Sequence, residues 1–305
     1  MEGDVTIEGR HRPVLLEEAL AILQPRTGGR YLDATVGLGG HAEAILAESA
    51  PAGRLFGIDR DAEALALARD RLGHFGGRVE LVQGDFARLG AIAAESGWTP
   101  FDGILFDLGV SSFQLDNASR GFSFMRDGPL DMRMDRGGDE RSAAELLARI
   151  SERELVRLLQ EYGEERWAKR IAARIVQERQ TQMPTSTAQL ARLVATAVPR
   201  RAWPRRIHVA TRTFQALRIA VNNELVRLMR GLQEAVQWLT AGGRICVISF
   251  HSLEDRIVKE AFRGWARSEP PRVHLLTKRP VGPTEREIDA NPRARSAKLR
   301  AAERR

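Results

Sequence analysis

The sequence predicts an α/β fold in which a doubly wound, Rossmann-like sheet is interrupted by an inserted all-helical domain. Short apolar segments alternate with helical patterns up to residue 107, and a glycine-rich turn follows the first apolar segment. From about residue 143 the pattern becomes purely helical, and the alternation resumes near residue 213. Such alternation builds a parallel sheet, which binds its ligands at the carboxyl ends of the strands.

Four strands are predicted in the first part of the chain, and an acidic residue lies at or just after the end of each. The strands cover residues 31–34, 54–59, 78–82 and 101–107. The acids are Asp33, Asp59, Asp85 and Asp107. Alanine- and leucine-rich patterns predict helices at 41–46 and 62–72 between the first three strands. We therefore expect the four acids at one edge of the sheet, where a ligand binds.

The helical insertion and the return to the sheet account for the rest of the chain. Apolar residues spaced by three and four predict helices at 152–162 and 166–179, within an insertion that is helical from about 143 to 198. One long helix is predicted at 213–239. The elements expected after it are a buried strand at 242–250, a helix at 253–266, and closing strands at 273–276 and 296–300.

Domain boundaries follow from these elements. The sheet domain is expected to comprise residues 1–130 and 211–305, and the inserted helical, substrate-binding domain residues 131–210. The tail from about Pro280 is rich in proline and charge, so it is expected to be partly loose.

The composition is that of an ordinary globular protein and excludes several classes. Hydrophobic residues make up 43% and charged residues 29% of 305, and no apolar stretch approaches the roughly 18 residues of a membrane span. Residues 1–12 lack the apolar run of a signal peptide. A single cysteine, Cys246, excludes a disulfide framework and multi-cysteine zinc sites. We expect a cytoplasmic protein with no membrane partner and no bound metal.

Positive charge is concentrated in two segments. Residues 136–212 and 263–305 each carry a net charge of +7, whereas the remaining residues carry −7. Two basic segments beside an acidic core favour a polyanionic partner such as nucleic acid, although a solvated, arginine-rich surface is the simpler alternative. The sequence also predicts phosphate contacts from a cluster in a proline-broken loop. Its members are Arg200, Arg201, Arg205 and Arg206.

The glycine turn predicts a nucleotide-containing ligand. Gly37, Gly39 and Ala42 match the pattern G-x-G-x-x-G/A after a strand, and Asp59 follows Gly39 by 20 residues, where an acid can hold ribose hydroxyls. A plain tight turn with a solvated aspartate is the structural alternative. Between a dinucleotide and S-adenosylmethionine, Asp33 favours the latter, because a carboxylate repels a pyrophosphate but can pair with the amino group of the methionine moiety. Adenine could contact Asp85 and Phe86.

Asp107 is the best catalytic candidate. It closes the fourth strand and is followed by the loop 108–112. An exocyclic base amine is a poor nucleophile because its lone pair is delocalised, so an acceptor for an amino proton would activate it. The alternative is a structural role in capping the loop. Methylation of a ring carbon would need a nucleophilic cysteine, but Cys246 lies within an apolar strand and is expected in the core.

Four further side chains could reach the site. His251 follows the fifth predicted strand, where a lone histidine is more often structural. Phe113, Phe122 and Phe124 could stack on an extruded base, although core packing is the commoner role of such rings.

Several long blocks carry a family resemblance. They are HRPVLLEE at 11–18, the turn at 33–41, DLGVSS at 107–112, RGFSFMRDGPLDMRMD at 120–135, TRTFQALR at 211–218 and SFHSLEDR at 249–256. In this order they resemble the bacterial ribosomal RNA small subunit methyltransferase H family, also called MraW, from about residue 11 to residue 295. The resemblance implies a class I methyltransferase sheet with a helical insertion.

The resemblance also implies a reaction, a cofactor and a set of site residues. The reaction is methylation of the N4 amine of one cytidine in the decoding region of 16S ribosomal RNA, within a small ribosomal subunit, with S-adenosylmethionine as donor. Residues that would contact the cofactor are Gly39, Gly40, His41, Asp59, Phe86, Asp107 and Gln114. The block at 120–135 is interpreted as a substrate-facing lid. Two rivals stay open, namely an NAD-dependent oxidoreductase and a non-catalytic RNA-binding assembly factor.

Overall fold

The computed structural model describes residues 13–205 and 207–305, and the chain in it forms two compact units. The sheet unit runs over Met1–Gly109 and Leu228–Arg305, and the helical unit over Val110–Arg227. His11, Arg12 and Arg206, which figure in the sequence analysis, lie outside the described residues. No helix within the described ranges is long and apolar enough to span a membrane.

Seven strands form the sheet of the sheet unit. They are β1 (Arg30–Asp33), β2 (Arg54–Asp59), β3 (Val79–Gln83), β4 (Phe101–Asp107), β5 (Leu239–Ser249), β6 (Val273–Leu275) and β7 (Lys298–Arg304). Their order is β3-β2-β1-β4-β5-β7-β6. The first five are parallel, and β7 lies antiparallel between β5 and β6. The predicted doubly wound α/β class is confirmed.

Thirteen helices are present in the described residues. They are α1 (Leu16–Leu23), α2 (Gly40–Glu48), α3 (Ala62–Leu72), α4 (Leu89–Glu95), α5 (Ser112–Asp116), α6 (Ala143–Arg149), α7 (Glu152–Gly163), α8 (Ala168–Glu178), α9 (Thr187–Ala197), α10 (Thr211–Asn222), α11 (Glu224–Gln237), α12 (Ser252–Arg267) and α13 (Glu285–Ala290). Helices α5 to α10 belong to the helical unit, and α11 begins there and continues into the sheet unit.

The core of the sheet unit lies on both faces of the central strands. Neighbouring residues of β1, Tyr31 and Leu32, point to opposite faces and are both buried, as is usual where helices cover a parallel sheet on two sides. Phe56 and Phe101 pack with Trp98 in an aromatic cluster, with ring centroids 5.3 to 6.4 Å apart. Phe101 begins β4, whereas the acids Asp33, Asp59 and Asp107 are the last residues of β1, β2 and β4.

The helical unit has a core of its own. Several of its helices begin at a capping box, in which a serine side chain accepts the third backbone N–H of the helix and the third side chain accepts the serine N–H. The block at 120–135 is part of this core, because Arg120 is buried and donates to the carbonyls of Arg133 and Met134. Asn222 in α10 donates to the carbonyl of Met132 at 2.7 Å.

The chain therefore enters the helical unit earlier and leaves it later than the proposed insertion 131–210. Phe122 and Leu130 precede that insertion but are buried in the core of the helical unit. Phe214 of α10 follows it and is buried there too. The structural boundaries fall at Gly109 and Arg227, because packing rather than helical periodicity decides which residues form one compact unit.

The prediction of one long helix at 213–239 is wrong. The helix ends at Asn222, and Asn223 adopts the left-handed conformation with φ of 51° before α11 begins. Asparagine tolerates this conformation better than most residues, and it caps a helix in that way. From Leu239 the chain is already the strand β5.

The expectation of a partly loose tail is also wrong. After Pro280 the chain forms α13 and β7, and β7 pairs with both β5 and β6. Arg300 of β7 donates to Asp255 of α12 at 2.6 Å. The partners of this segment lie far away in the sequence, so its local composition did not reveal them.

Candidate active site

Three of the predicted acids lie together at the carboxyl ends of β1, β2 and β4. Asp33 is only 1% exposed; its Oδ1 accepts the N–H of Thr35 at 3.1 Å, whereas its Oδ2 is buried without a partner among the described residues. Burial raises the pKa of Asp33 to about 7, against the effect of the Thr35 hydrogen bond and with the charge of Asp59 adding to it. A buried oxygen with no partner is costly in the free chain, which indicates a place for a donor or cation.

Asp59 holds the glycine turn. Its Oδ2 accepts the N–H of Gly37 at 2.7 Å, and its Oδ1 accepts the N–H of Asp61 at 2.9 Å. Burial raises the pKa of Asp59, while these backbone hydrogen bonds act to lower it. A carboxylate has about four lone-pair positions, so both oxygens can still accept a further hydrogen bond. Asp59 therefore orders the turn and remains able to accept ribose hydroxyls.

The turn itself needs glycine for two reasons. Gly37 and Gly39 have positive φ values of 51° and 79°, a conformation that side chains disfavour. A Cβ on Gly39 would lie 3.1 Å from Leu72, and one on Gly40 would lie 2.5 Å from Pro13. These glycines are therefore required by backbone conformation and by packing against α3 and the chain before α1, whether or not a ligand is bound.

Asp107 and His41 form a pair in which the histidine ring is buried and the aspartate side chain is 26% exposed. His41 Nε2 lies 3.1 Å from the carbonyl oxygen of Val14, which can only accept, so Nε2 carries a proton. His41 Nδ1 faces Asp107 Oδ2 at 3.6 Å, and Asp107 Oδ1 is buried without a partner among the described residues. Burial lowers the pKa of His41 to about 4, against the effect of the Val14 hydrogen bond, so the ring is neutral at physiological pH. Its Nδ1 then presents a lone pair to Asp107.

The carboxyl of Asp107 lies in a region of excess negative charge. Burial, followed by the charges of Asp33 and Glu254, raises the pKa of Asp107 well above its ordinary value. The Asp107 N–H donates to Thr35 Oγ1 at 2.6 Å, which fixes the end of β4 against the end of β1. A cation bound beside these carboxyls would lower their pKa values and be held by them. A pyrophosphate would be repelled.

His251 has a structural role in this arrangement. It is the N-cap of α12, and its Nδ1 accepts the N–H of Glu254 at 3.4 Å. Glu254 Oε2 in turn accepts the N–H of Phe250 at 2.9 Å. This capping box holds the buried Glu254 carboxyl near Asp107. His251 thereby orients an acid of the site.

Phe86 and Gln114 lie in different parts of the molecule. Phe86 follows β3, packs edge-on against Phe106 at 5.5 Å and remains partly exposed at the same end of the sheet. Asp85 accepts the N–H of Ala87 at 2.9 Å and so caps the short helical turn that contains Phe86. Gln114 belongs to the helical unit, where it completes the capping box of α5.

The structure also shows where the remaining candidates of the sequence analysis lie. Cys246 is fully buried in β5, as expected, and burial raises the pKa of its thiol strongly. Phe122 is buried in the helical core, while Phe113 and Phe124 are partly exposed in the same unit. The sequence analysis missed Thr35, Glu254 and the carbonyl of Val14. Thr35 and Glu254 lie within quoted blocks, but only tertiary contact reveals what they touch.

Comparison with known proteins identifies the family. A sequence model described as the MraW methylase family matches residues 8–305. The chain belongs to the MraW methylase family. Two relatives named ribosomal RNA small subunit methyltransferase H, from Trichlorobacter lovleyi and Geobacter sp. strain M21, are 54% and 52% identical, over 97% and 96% of this chain and 98% of each relative. TrmN from Thermus thermophilus aligns over 98% of this chain and 51% of its own, with a TM-score of 0.47 and 14% identity.

Membership of the MraW family confirms the family resemblance. It makes the chain a methyltransferase that uses S-adenosylmethionine. The residues of the sheet unit fit this cofactor, because its sulfonium and ammonium groups suit the carboxyls of Asp33 and Asp107, each with one buried oxygen that has no partner among the described residues, and its ribose suits Asp59. The same carboxyls disfavour the two negative charges of a dinucleotide pyrophosphate, which counts against the oxidoreductase.

Proposed function

We propose that this MraW family member methylates the N4 amine of a cytidine in the decoding region of 16S ribosomal RNA, within the small ribosomal subunit and in the cytoplasm. The substrate class is supported by relatives more than 50% identical over nearly the whole chain, which are named for the ribosomal RNA of the small subunit. The amine as acceptor is supported by one observation above all, the partly exposed Asp107 carboxyl beside the neutral His41, with one carboxyl oxygen buried without a partner among the described residues.

The cofactor would be held at the glycine turn and the strand ends of the sheet unit. In the sheet unit, Gly39, Gly40 and His41 line the turn, Asp59 would accept ribose hydroxyls and Phe86 would contact adenine. Asp107 would lie beside the positive charge. Gln114 of the helical unit completes the proposed set. When bound, S-adenosylmethionine supplies an electrophilic methyl group on a positively charged sulfur.

Asp107 would accept the proton that the amine loses. In the free chain burial, followed by the charges of Asp33 and Glu254, raises its pKa well above the ordinary value. A positive charge bound beside it lowers that pKa and leaves a carboxylate, which is the form that can accept. The positive charge of S-adenosylmethionine would thus keep Asp107 in the form that can accept a proton. His41 would not compete for the proton, because burial lowers its pKa to about 4; its Nδ1 lone pair, 3.6 Å from Asp107 Oδ2, could accept a hydrogen bond from Asp107 once that carboxyl is protonated.

The burial of Cys246 argues against methylation at carbon 5 of cytosine. That reaction needs a thiolate that attacks the ring, but the only cysteine is fully buried in β5 and its pKa is raised by burial. At the strand ends, by contrast, Asp107 could accept a proton from an exocyclic amine. A non-catalytic assembly factor would have no need to keep buried carboxylate oxygens without partners, since these destabilise the folded chain.

Mapping of the modified nucleotide tests the proposal. Purified small ribosomal subunits and free 16S ribosomal RNA, both from cells that lack this activity, are incubated with the protein and methyl-labelled cofactor, and the digested RNA is analysed by mass spectrometry. We expect one N4-methylated cytidine in the decoding region, formed faster in the subunit. Label on another nucleotide, on carbon 5, or on none would overturn the proposal, and Asp107→Asn serves as the inactive control.

A further inference from the structure

A long segment of the helical unit contains no acidic residue. Between Glu178 and Glu224 there are 45 residues with eight arginines and no aspartate or glutamate. Arg218 in this segment is neutralised by Glu224, at 2.7 Å. Four exposed arginines of the segment form no ion pair within the described part of the chain, namely Arg192 and the three close neighbours Arg200, Arg201 and Arg205. Their charge is available to a partner.

Four rings lead from the core of the helical unit to the surface beside the last three of these arginines. We call them the aromatic row, which consists of Phe214, Phe124, His208 and Trp203. Phe214 is buried and meets Phe124 edge-on at 4.8 Å. Phe124 and His208 lie 4.6 Å apart, and His208 and Trp203 lie 6.4 Å apart. His208 is exposed and the rings on either side of it are partly exposed, so the row presents aromatic surface to solvent.

The outer rings are held in fixed positions. Trp203 Nε1 donates to the carbonyl of Val198 at 3.1 Å, and His208 Nδ1 accepts the N–H of Ala210 at 3.2 Å. Pro204 restricts the chain between them. A ring that is already fixed loses little entropy when a flat ligand stacks on it.

Charge and apolar surface lie next to the row. The Arg200 guanidinium lies 4.6 Å from the centre of the Trp203 ring. Met125 and Ile207, the chain neighbours of Phe124 and His208, are 82% and 38% exposed. Flat rings, exposed apolar side chains and cations without acidic partners form the combination that binds single-stranded nucleic acid, in which bases stack and phosphates pair with arginine.

We propose that the aromatic row with Arg200, Arg201 and Arg205 is a binding surface for single-stranded RNA, at which one or two bases stack on His208 and Trp203. The proposal rests on the proposed function for the identity of the RNA as ribosomal, and it concerns a stretch of the substrate other than the cytidine that is methylated. An acidic protein would be attracted by the arginines as well, but it would gain little from the exposed flat rings.

A pair of matched variants tests the stacking. Trp203→Leu keeps apolar bulk and all charges, and Trp167→Leu is its control, because Arg170 lies over Trp167 at 5.5 Å in the same unit. Binding of a single-stranded RNA of about 12 nucleotides that carries 2-aminopurine is measured by anisotropy and fluorescence quenching. Loss of base stacking should weaken binding about five- to a hundredfold in Trp203→Leu, with reduced quenching, while Trp167→Leu binds like the wild type.

A charge variant keeps the test decisive if Trp203→Leu folds poorly. Arg200 and Arg205 are exposed and make no ion pair among the described residues, so Arg200→Ser with Arg205→Ser should leave the fold intact. In the double variant the fall of log affinity with log salt concentration should be less steep by about 1.4, whereas Trp203→Leu should leave its steepness unchanged.

Three results would contradict the RNA surface. The first is equal affinity of Trp203→Leu and Trp167→Leu for the RNA, and the second is an unchanged salt slope in the double variant. The third is a Trp203→Leu variant that binds whole ribosomal subunits poorly but binds the RNA normally, which would indicate a protein partner. Methyl transfer by the wild type is recorded separately. If no cytidine is methylated but Trp203→Leu still loses affinity for RNA, the proposed function fails and the RNA surface stands.

Discussion

The acids at the strand ends of the sheet unit and the ion-paired Asp131 of the helical unit have opposite electrostatic surroundings. In the sheet unit, Asp33 and Asp107 each have a buried carboxylate oxygen without a partner among the described residues, and burial raises both pKa values. In the helical unit, Asp131 is bound by Arg133 at 2.7 Å. Burial alone would raise the pKa of Asp131, but the hydrogen bonds and charge of Arg133, with the charge of Arg136, lower it. A carboxylate that serves the fold is neutralised by the protein, and one that serves a ligand is left for the ligand.

The largest expected effect is a difference in sign between Asp33→Asn and Asp131→Asn. Because the pKa of Asp33 is raised from 3.8 to about 7 in the folded chain, the wild type loses stability as pH rises from about 4 to about 7. Asp33→Asn removes this loss, so above pH 7 it should be more stable by up to about 4 kcal/mol, at about 1.36 kcal/mol per pKa unit. It should also bind S-adenosylmethionine more weakly.

Asp131→Asn should behave in the opposite way. A lowered pKa stabilises the folded chain above the unfolded value, and this contribution is lost as pH falls through the folded value. The variant should therefore be less stable than the wild type at pH 8, with a difference that shrinks on acidification. Urea unfolding between about pH 3 and pH 8 covers the range in which both contributions change and measures both variants. Two variants with shifts of the same sign would remove the distinction between the units.

The next largest effect concerns Asp107→Asn, which keeps the shape of the side chain but removes its charge. Loss of a preorganised polar group at a reacting centre commonly costs about a hundredfold or more in rate. The quantity to measure is the single-turnover rate at saturating cofactor, because Asp107 is also proposed to contact the cofactor. Glu154→Gln, in the capping box of α7, is the control and should keep its rate. A near-normal rate for Asp107→Asn would exclude the catalytic role.

A smaller effect is expected for Asp59→Ala. A hydrogen bond to a charged group is worth roughly 1.5 to 3 kcal/mol, so the affinity for S-adenosylmethionine should fall by that amount in calorimetry. Asp59 also holds Gly37, and the loss could come from the turn. A cofactor analogue without ribose hydroxyls separates the two causes, since it should bind wild type and variant alike if Asp59 acts on the ribose. An equal loss with both ligands would assign Asp59 to the turn alone.

The last prediction concerns the arginine cluster of the helical unit, whose effect is measured as a change in salt dependence rather than at one salt concentration. Replacing Arg200, Arg201, Arg205 and Arg206 by serine should reduce the salt slope of RNA binding by up to about 3, at about 0.7 per phosphate contact on a single strand. Affinity for the cofactor should stay constant. Superimposable slopes would leave the basic segment 263–305 as the candidate for phosphate binding.

The elements that the sequence predicted well are those with local causes. The bounds of β2, β4 and α3 agree with the prediction at both ends, because apolar periodicity and the Asp61 cap lie within the segments themselves. The break at Asn223 was missed because it depends on tertiary contacts, including the hydrogen bonds of the neighbouring Asn222 side chain with Met132 and Met134. Strand β7 was undervalued for the same reason, since its partners lie in β5 and β6.

By itself the sequence determined the fold class, the family, the glycine turn and the acids at the strand ends, because motif spacing and strand order bring those features to one edge of a parallel sheet. Only the tertiary structure decided how they are used. It placed His41 against Asp107, Glu254 near Asp107, and His251 in a helix cap. These groups lie far apart in the sequence, and their protonation depends on burial and on the charges around them, which no local pattern records.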